Sequence, residues 1–255
     1  MQDPDEFRLS LVEHLDELRG RIVRILVFLI VGWVFGWVVE PTVYETLSQW
    51  AQKQIPASVK YEEAFRSVTE PFMLKLKLSF YIGLVLMFPF IIGQVWGFIR
   101  PALRPTEVRP FKVLAPLSFV LFFVGCALCW SIIPIALGWF VSYLGEFPGT
   151  GIIQEPGTLV FFIAKMLLAF GIGFQLPVVV FFLAKIGILT PAVLKTHWRH
   201  ATVVIFFLSM ILTPSNDIPS MLTMAIPMTL LFFMSMLAVS WSNRHQRDPV
   251  LDQLD

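Results

Sequence analysis

The feature that most constrains the fold is a series of apolar segments, most of them long enough to cross a lipid bilayer. A spanning helix needs about 20 mostly apolar residues, because about 30 Å of hydrocarbon is crossed at 1.5 Å per residue. The 255-residue chain contains six candidate segments: 22–39, 76–99, 113–141, 159–183, 198–213 and 218–240. The fifth is short, since its uncharged part, 201–212, covers at most about 18 Å as a helix.

The composition supports a membrane protein and excludes two other classes. Hydrophobic residues make up 56% of the chain and charged residues 15%, whereas soluble domains carry about 25% charged residues. The formal charge of +1 leaves no basic excess for binding a nucleic acid backbone. We therefore predict an all-α polytopic membrane protein with six transmembrane helices and lipid around it. It forms one domain, 1–255, with an amphipathic cytoplasmic N-terminus at 1–21, a membrane region at 22–240 and a cytoplasmic tail at 241–255.

The orientation follows from lysine and arginine, which are enriched in cytoplasmic connections. With the N-terminus inside, only Lys53, Lys60 and Arg66 fall in outer connections. Twelve lysine and arginine residues fall on the inner side: Arg8, Arg19, Arg21, Arg100, Arg104, Arg109, Lys112, Lys185, Lys195, Arg199, Arg244 and Arg247. Both termini are predicted to be cytoplasmic, and the largest outer piece is the loop 40–72, punctuated by prolines 41, 56 and 71. No organelle presequence is recognisable, which favours a prokaryotic cytoplasmic membrane.

Small and kinking residues within the spans indicate how the helices pack. Gly32 and Gly36 form a G-x-x-x-G pair, which lets two helix backbones approach closely or simply reflects a glycine-bearing helix. Prolines within spans each remove a backbone donor and bend the helix; they are Pro89, Pro116, Pro134, Pro177 and Pro227. A bent, concave bundle is therefore predicted.

The residues that usually mark an enzyme or a metal site are missing from the sequence. Cys126 and Cys129 stand in an apolar run without the electropositive setting that a reactive thiolate needs, so we predict inert packing. No phosphate-binding loop, dinucleotide fingerprint or zinc-protease motif is present. The sequence predicts no catalytic residue, no metal and no cofactor.

Polar residues at two cytoplasmic positions have both a structural and a functional interpretation. Glu17 stands four residues before Arg21, the spacing of an ordinary solvated intrahelical ion pair. Glu107 follows Pro105 and Thr106 at a plausible helix start, where the helix dipole favours a carboxylate. The residues alone leave open whether either carboxylate binds a ligand.

A set of motifs in fixed order carries a family resemblance. They are His14-Leu15-x-Glu17-Leu18-Arg19-x-Arg21, the stretch from Pro89 to Glu107, Phe170-Gly171-x-x-Phe174-x-x-Pro177, Leu212-Thr213-Pro214 and Ala225-Ile226-Pro227. With the segment lengths, they resemble the TatC family, the multispanning core of the twin-arginine protein translocase. The resemblance covers nearly the whole chain.

The resemblance implies a receptor for twin-arginine signal peptides. With the single-span partners TatA and TatB it would move folded proteins across the membrane using the proton-motive force, and it would associate with itself in a receptor complex. The resemblance implies that Glu17 and Glu107 bind the arginine pair. It also implies a supporting surface formed by Arg19, Gln94, Phe98 and Leu103.

The same resemblance implies contacts with partner helices at Gln175, Met210, Ile211 and Thr213. The family commonly has a glutamate where this chain has Gln175, and a glutamine cannot titrate. An ion-coupled transporter of small solutes is the alternative, but such a carrier needs paired ionisable groups near the midplane. Lys165 alone approaches that description.

Overall fold

The computed structural model of the chain describes the backbone of residues 11–55, 59–102, 105–147, 150–213 and 217–251. Side chains are described for the same ranges except residues 11, 102, 105–112, 144, 145 and 242–251. Within these residues the helices are α1 (Leu11–Gln52), α2 (Glu70–Ile99), α3 (Pro105–Ser142), α4 (Thr158–Gly173), α5 (Leu176–Lys185), α6 (Pro191–Leu212) and α7 (Ile218–Leu251). Two three-residue strands, β1 (Tyr61–Glu63) and β2 (Ile152–Gln154), complete the fold.

The helices confirm a membrane protein with several spans. In the described part of the chain five helical stretches are long and apolar enough to cross a bilayer: Val12–Gln52, Glu70–Ile99, Val113–Ser142, Thr158–Lys185 and Ile218–Trp241. The sixth predicted segment lies in α6, which begins with polar and basic residues and so has only a short apolar part. The final helix continues past the predicted end at residue 240 to Leu251.

The chain divides into two compact units. Unit 1 comprises Met1–Val108 and Ile133–Lys165, and unit 2 comprises Arg109–Ile132 and Met166–Asp255.

Unit 1 is built on an antiparallel pair formed by α1 and α2. The pair is held by close backbone contact, as the glycine spacing suggested. A methyl group on Gly32 would lie 2.8 Å from the carbonyl oxygen of Gly83, and one on Gly36 would overlap the carbonyl oxygen of Ser79. Only glycine permits this approach, so the G-x-x-x-G pair is a real packing face.

The first helix is longer than the sequence predicted. The prediction ended the span at residue 39 and placed Pro41 in an outer loop, but α1 continues through Pro41 to Gln52. A proline removes one helical hydrogen bond, and packing of the following turns compensates for it. Tyr44 and Leu47 pack on a cluster formed by Leu78, Val160 and Ala164, which extends the apolar contact beyond Pro41.

A small sheet corrects the all-α prediction. Strands β1 and β2 pair in parallel, with Tyr61 opposite Ile152 and Glu63 opposite Gln154. The Tyr61 hydroxyl donates a 2.8 Å hydrogen bond to Glu63 Oε1. Burial, this bond and the charge of Glu63 hold the pKa of Tyr61 above its ordinary value. The connection between α1 and α2 therefore contains a strand of its own.

Unit 2 contains an interruption in the fourth span. Helix α4 ends at Gly173 and α5 begins at Leu176, with Pro177 in its first turn. The predicted kink at Pro177 is thus a break between two helices, because proline has no N–H to continue the α4 ladder. A methyl group added at Gly173 would lie 3.1 to 3.3 Å from the side-chain ends of Met224 and Met228, so the core beside this glycine is closely packed.

Both cysteines lie in α3 within unit 2 and are free thiols. Cys129 is fully buried, and the Cys126 thiol donates to the carbonyl of Leu167 at 3.5 Å. Neither faces a charged group among the contacts described for it, which agrees with the predicted packing role.

Candidate functional site

The candidate site lies in unit 1, where α1 begins and α2 ends. Because the two helices are antiparallel, residues 14–21 of α1 face residues 94–98 of α2. Five side chains meet there and form the N-terminal patch: His14, Glu17, Arg21, Gln94 and Phe98.

Arg21 connects the two helices and holds Glu17. Its Nη2 and Nε atoms donate to Glu17 Oε1 at 2.6 and 3.0 Å. Its Nη1 atom donates to the backbone carbonyl and to the side-chain oxygen of Gln94 at 3.4 and 3.5 Å. The sequence predicted a solvated pair, but the Arg21 and Glu17 side chains are only 16% and 21% exposed. The expected ion pair forms, and contact with α2 removes most of its water.

Glycine at position 97 makes room for this arrangement. A side chain there would overlap the Arg21 guanidinium, whose central carbon lies 2.7 Å from the position of a methyl group. The α2 backbone therefore provides a flat surface against which Arg21 lies. Since Arg21 is fixed on this surface, the Glu17 carboxylate is fixed as well.

The remaining side chains of the patch form an aromatic contact beside the carboxylate. The rings of His14 and Phe98 are stacked, with centroids 4.4 Å apart and an angle of 17° between their planes. His14 lies three residues before Glu17, so it projects from nearly the same face of α1. Trp96, on α2, is almost completely buried.

One oxygen of Glu17 remains for a ligand. Both bonds from Arg21 end on Oε1, and among the described residues Oε2 accepts no hydrogen bond. A carboxylate oxygen with this partial burial can accept charge-assisted bonds from a guanidinium. The patch can therefore bind a cation while Arg21 keeps the carboxylate in position.

The structure brings together three of the six residues predicted to bind the signal peptide: Glu17, Gln94 and Phe98. Arg19 is exposed on α1. Leu103 and the Glu107 side chain lie outside the described residues, although α3 begins at Pro105 and so places Glu107 in its first turn, as predicted. Sequence reasoning did not assign Arg21 and His14 to the site. Their positions three and four residues from Glu17 are the signal that could have identified them.

The predicted partner-contact residues lie in unit 2. Gln175 precedes α5, and its amide nitrogen donates to the carbonyl oxygens of Ser118 and Gly171 at 3.0 and 3.3 Å. These two acceptors fix the orientation of the amide, and its oxygen is buried without a partner among the described residues. Gln175 thus braces the break between α4 and α5 against α3.

The other three residues lie at the end of α6. Met210 and Ile211 are 51% and 61% exposed, which leaves an apolar surface open to lipid or to another helix. Thr213 is buried, and its hydroxyl donates to the carbonyl of Met210 at 3.3 Å. Met210 and Ile211 are accessible for contact, whereas Thr213 supports the helix end.

The chain is similar to proteins of one family throughout its length. The family model described as "Sec-independent protein translocase protein (TatC)" matches residues 13–227. The protein of that name from Koribacter versatilis is 33% identical over 230 residues, which cover 89% of this chain and 83% of the relative. The one from Aquifex aeolicus is 31% identical over 245 residues, covering 94% and 98%.

Solved structures show the same similarity. A crystal structure described as "Twin Arginine Translocase Receptor- TatC" superposes with a TM-score of 0.78 at 30% identity, covering 91% of this chain and all of the other. A second one, obtained in the detergent DDM, gives a TM-score of 0.69 and covers 89% and 99%.

Proposed function

The chain belongs to the TatC family of Sec-independent protein translocases, and we propose that its N-terminal patch binds the arginine pair of a twin-arginine signal peptide. Family and helices make it a multi-pass membrane component of a protein translocase. The observation that carries the proposal is the Glu17 carboxylate, which Arg21 holds through Oε1 and whose Oε2 accepts no hydrogen bond from the described residues. In this assignment one peptide arginine binds Glu17 and the other binds Glu107.

The chemistry of the two cations explains why arginine is required. A guanidinium presents parallel N–H donors in a plane, whereas a lysine ammonium is a more strongly hydrated point charge. Each charge-assisted bond to a partly desolvated carboxylate contributes about 1.5 to 3 kcal/mol. Phe98 and His14 supply a flat aromatic surface beside the carboxylate, on which a guanidinium can also stack. Twin lysine loses both the planar array of N–H donors and the stacking.

Site-specific photocrosslinking tests this function. A photoreactive residue at position 98 or 107 should crosslink to a radiolabelled Arg-Arg signal peptide and several-fold less to the matched Lys-Lys peptide. A photoreactive residue at the exposed position of Val68, in the connection between α1 and α2, serves as the control and should give little product with either peptide. Equal crosslinking of both peptides at positions 98 and 107 would contradict the assignment.

We further propose that both termini are cytoplasmic in a prokaryotic inner membrane, as the distribution of lysine and arginine indicates. A cysteine introduced at Lys195 should then react with an impermeant maleimide only when the cytoplasmic face is accessible. The two native cysteines are poorly suited to react, because Cys129 is fully buried and Cys126 is partly buried. Reaction from the outer face would overturn this orientation.

The translocation step itself is assigned to a complex with TatA and TatB, driven by the proton-motive force, in which copies of this chain associate. The exposed pair Met210 and Ile211 offers the direct contact for a partner helix. Gln175 supports docking by keeping the break between α4 and α5 in place, and a partner that reaches its buried oxygen must bring a hydrogen-bond donor. Such bonds between helices in lipid contribute about 0.6 to 2 kcal/mol.

Replacing Gln175 by alanine should reduce co-purification with TatA or TatB by at least half. The variant loses two donated bonds at the break, each contributing about 0.5 to 1.5 kcal/mol, so its thermal unfolding midpoint should also fall. Ser131→Ala is the control, because in the described part of the chain this exposed hydroxyl bonds only to the carbonyl of Ala127 in its own helix. Full recovery of both partners from the Gln175 variant would limit this residue to a structural role.

A further inference from the structure

Unit 1 contains a cavity of about 530 Å³ whose charged lining is entirely basic. Lys77 of α2 and Lys165 of α4 both border it, and no carboxylate of the described residues does. Nothing in the proposed recognition of a signal peptide uses this cavity, since the N-terminal patch lies at the opposite end of α2.

The two lysines lie at the same depth. Each is seven residues beyond the first residue of its helix, Glu70 for α2 and Thr158 for α4. Seven residues of helix correspond to about 10 Å. The strands that precede these helices pair in parallel, so both helices begin from the same side. The two lysines therefore lie equally far from the starts of their helices, on the side from which both helices begin.

The neighbouring Lys75 has partners that Lys77 and Lys165 do not have. The Lys75 ammonium lies 5.0 Å from the centre of the Trp37 ring and is attracted by the buried carboxylate of Glu40. Among the described residues neither Lys77 nor Lys165 forms an ion pair or a cation–π contact. An ammonium at this depth is costly unless it reaches the interface or meets an anion.

An aromatic wall stands beside the two cations. Four rings follow one another along it, with centroids 6.0 Å apart for Trp33 and Phe80, 6.3 Å for Phe80 and Tyr81, and 6.2 Å for Tyr81 and Phe161. The Trp33 ring is fixed by a 3.1 Å bond from its Nε1 to the carbonyl of Leu76. Trp33 and Phe80 are 36% and 38% exposed, so the wall is open to lipid.

We propose that this cavity binds an anionic phospholipid, with Lys77 and Lys165 on its phosphate and the aromatic wall against the upper part of its acyl chains. Charge complementarity selects the anion, since two ammonium groups face one space without a carboxylate. The open aromatic wall selects a lipid over a free phosphate, because it covers an apolar tail that inorganic phosphate does not have. Lipid is also present at this depth at high local concentration.

Lipid retention by the full-length protein tests the proposal. Protein in nanodiscs of phosphatidylcholine with 20% phosphatidylglycerol is extracted into mild detergent, and the retained lipids are measured by mass spectrometry. Wild type should retain phosphatidylglycerol at least fivefold over its share in the membrane. Lys77→Gln with Lys165→Gln should abolish this enrichment, and Lys77→Arg with Lys165→Arg should keep it. Lys53→Gln, which removes an exposed charge outside the cavity, should leave it unchanged.

Two further measurements make the outcome decisive. Thermal unfolding in phosphatidylcholine alone should be equal for wild type and the double glutamine variant, while added phosphatidylglycerol raises the midpoint of wild type only. Inorganic phosphate should not reproduce this stabilisation; if it does, the site binds a free anion and the lipid assignment is wrong. Equal retention of both lipids by wild type would also overturn the lipid assignment. So would capture of an acidic partner helix that requires Lys165, if the protein shows no preference for either lipid.

Discussion

Replacing Glu17 by glutamine should lower the affinity for a twin-arginine signal peptide by about ten- to a hundredfold. The substitution keeps the shape of the side chain and removes the charge, so a peptide guanidinium loses a charge-assisted bond worth about 1.5 to 3 kcal/mol. The Arg21 guanidinium loses its ionic partner in the same step, but its bonds to Gln94 remain. Binding of a fluorescent signal peptide to the protein in nanodiscs measures the change.

Asp16→Asn is the matched control. It makes the same change in charge one residue away on α1, at an exposed position. A general electrostatic attraction of the basic peptide would be weakened equally by both substitutions and would respond strongly to salt. The proposed site predicts that Asp16→Asn changes the affinity less than threefold. Equal losses for the two variants would count against Glu17 as a direct ligand.

Replacing Gly36 by alanine should prevent stable packing of α1 on α2. The added methyl group would overlap the carbonyl oxygen of Ser79 and approach the backbone nitrogen of Gly83 to 3.2 Å. These are backbone atoms of a packed helix, so the two helices must separate. Overpacking of this kind costs about 1 to 3 kcal/mol, and here the cost extends along the contact because Gly32 lies one turn away. We expect a large fall in the yield of folded protein and in its unfolding midpoint in detergent.

Gly93→Ala separates packing from helix propensity. Gly93 lies in α2 with nothing within 4 Å of the position of its methyl group. Alanine is favoured over glycine within a helix by up to about 1 kcal/mol, so this variant should be as stable as wild type or slightly more stable. If both alanine variants have the same midpoint, the close approach of α1 and α2 does not stabilise the protein.

The length of the apolar segments was enough to locate the five long spanning helices of the described residues, because the thickness of a bilayer sets that length. The start of α3 at Pro105 was also foreseeable, since proline in the first turn lacks only a donor that would be unpaired. The Gly32 and Gly36 spacing indicated close packing, but only the structure identifies Ser79 and Gly83 as the residues they meet.

Three features could not be predicted from local pattern. Continuation of α1 past Pro41 depends on packing with residues far along the chain, including Val160 and Ala164. Strands β1 and β2 have three residues each, too few for a period of two to be recognised. The break between α4 and α5 is stabilised by Gln175, whose acceptor on Ser118 is 57 residues away.

The candidate site was predictable only in part, because local spacing indicates contacts within one helix but not contacts between helices. The pair Glu17 and Arg21 follows from helical spacing alone. Its burial does not, because it depends on Gln94, 73 residues from Arg21, and on the missing side chain of Gly97. The sequence therefore identified the carboxylate, and the structure shows how Arg21 holds it.

A double-mutant cycle between the receptor and the peptide tests the central claim most directly. Affinities are measured for wild type and Glu17→Gln with an Arg-Arg signal peptide and with peptides in which each arginine in turn is lysine. Direct contact predicts a coupling free energy of about 1 kcal/mol or more between Glu17 and one of the two arginines. Replacing that arginine by lysine should lower the affinity only slightly once the carboxylate is gone. Additive losses for both arginines, with no coupling, would contradict the account.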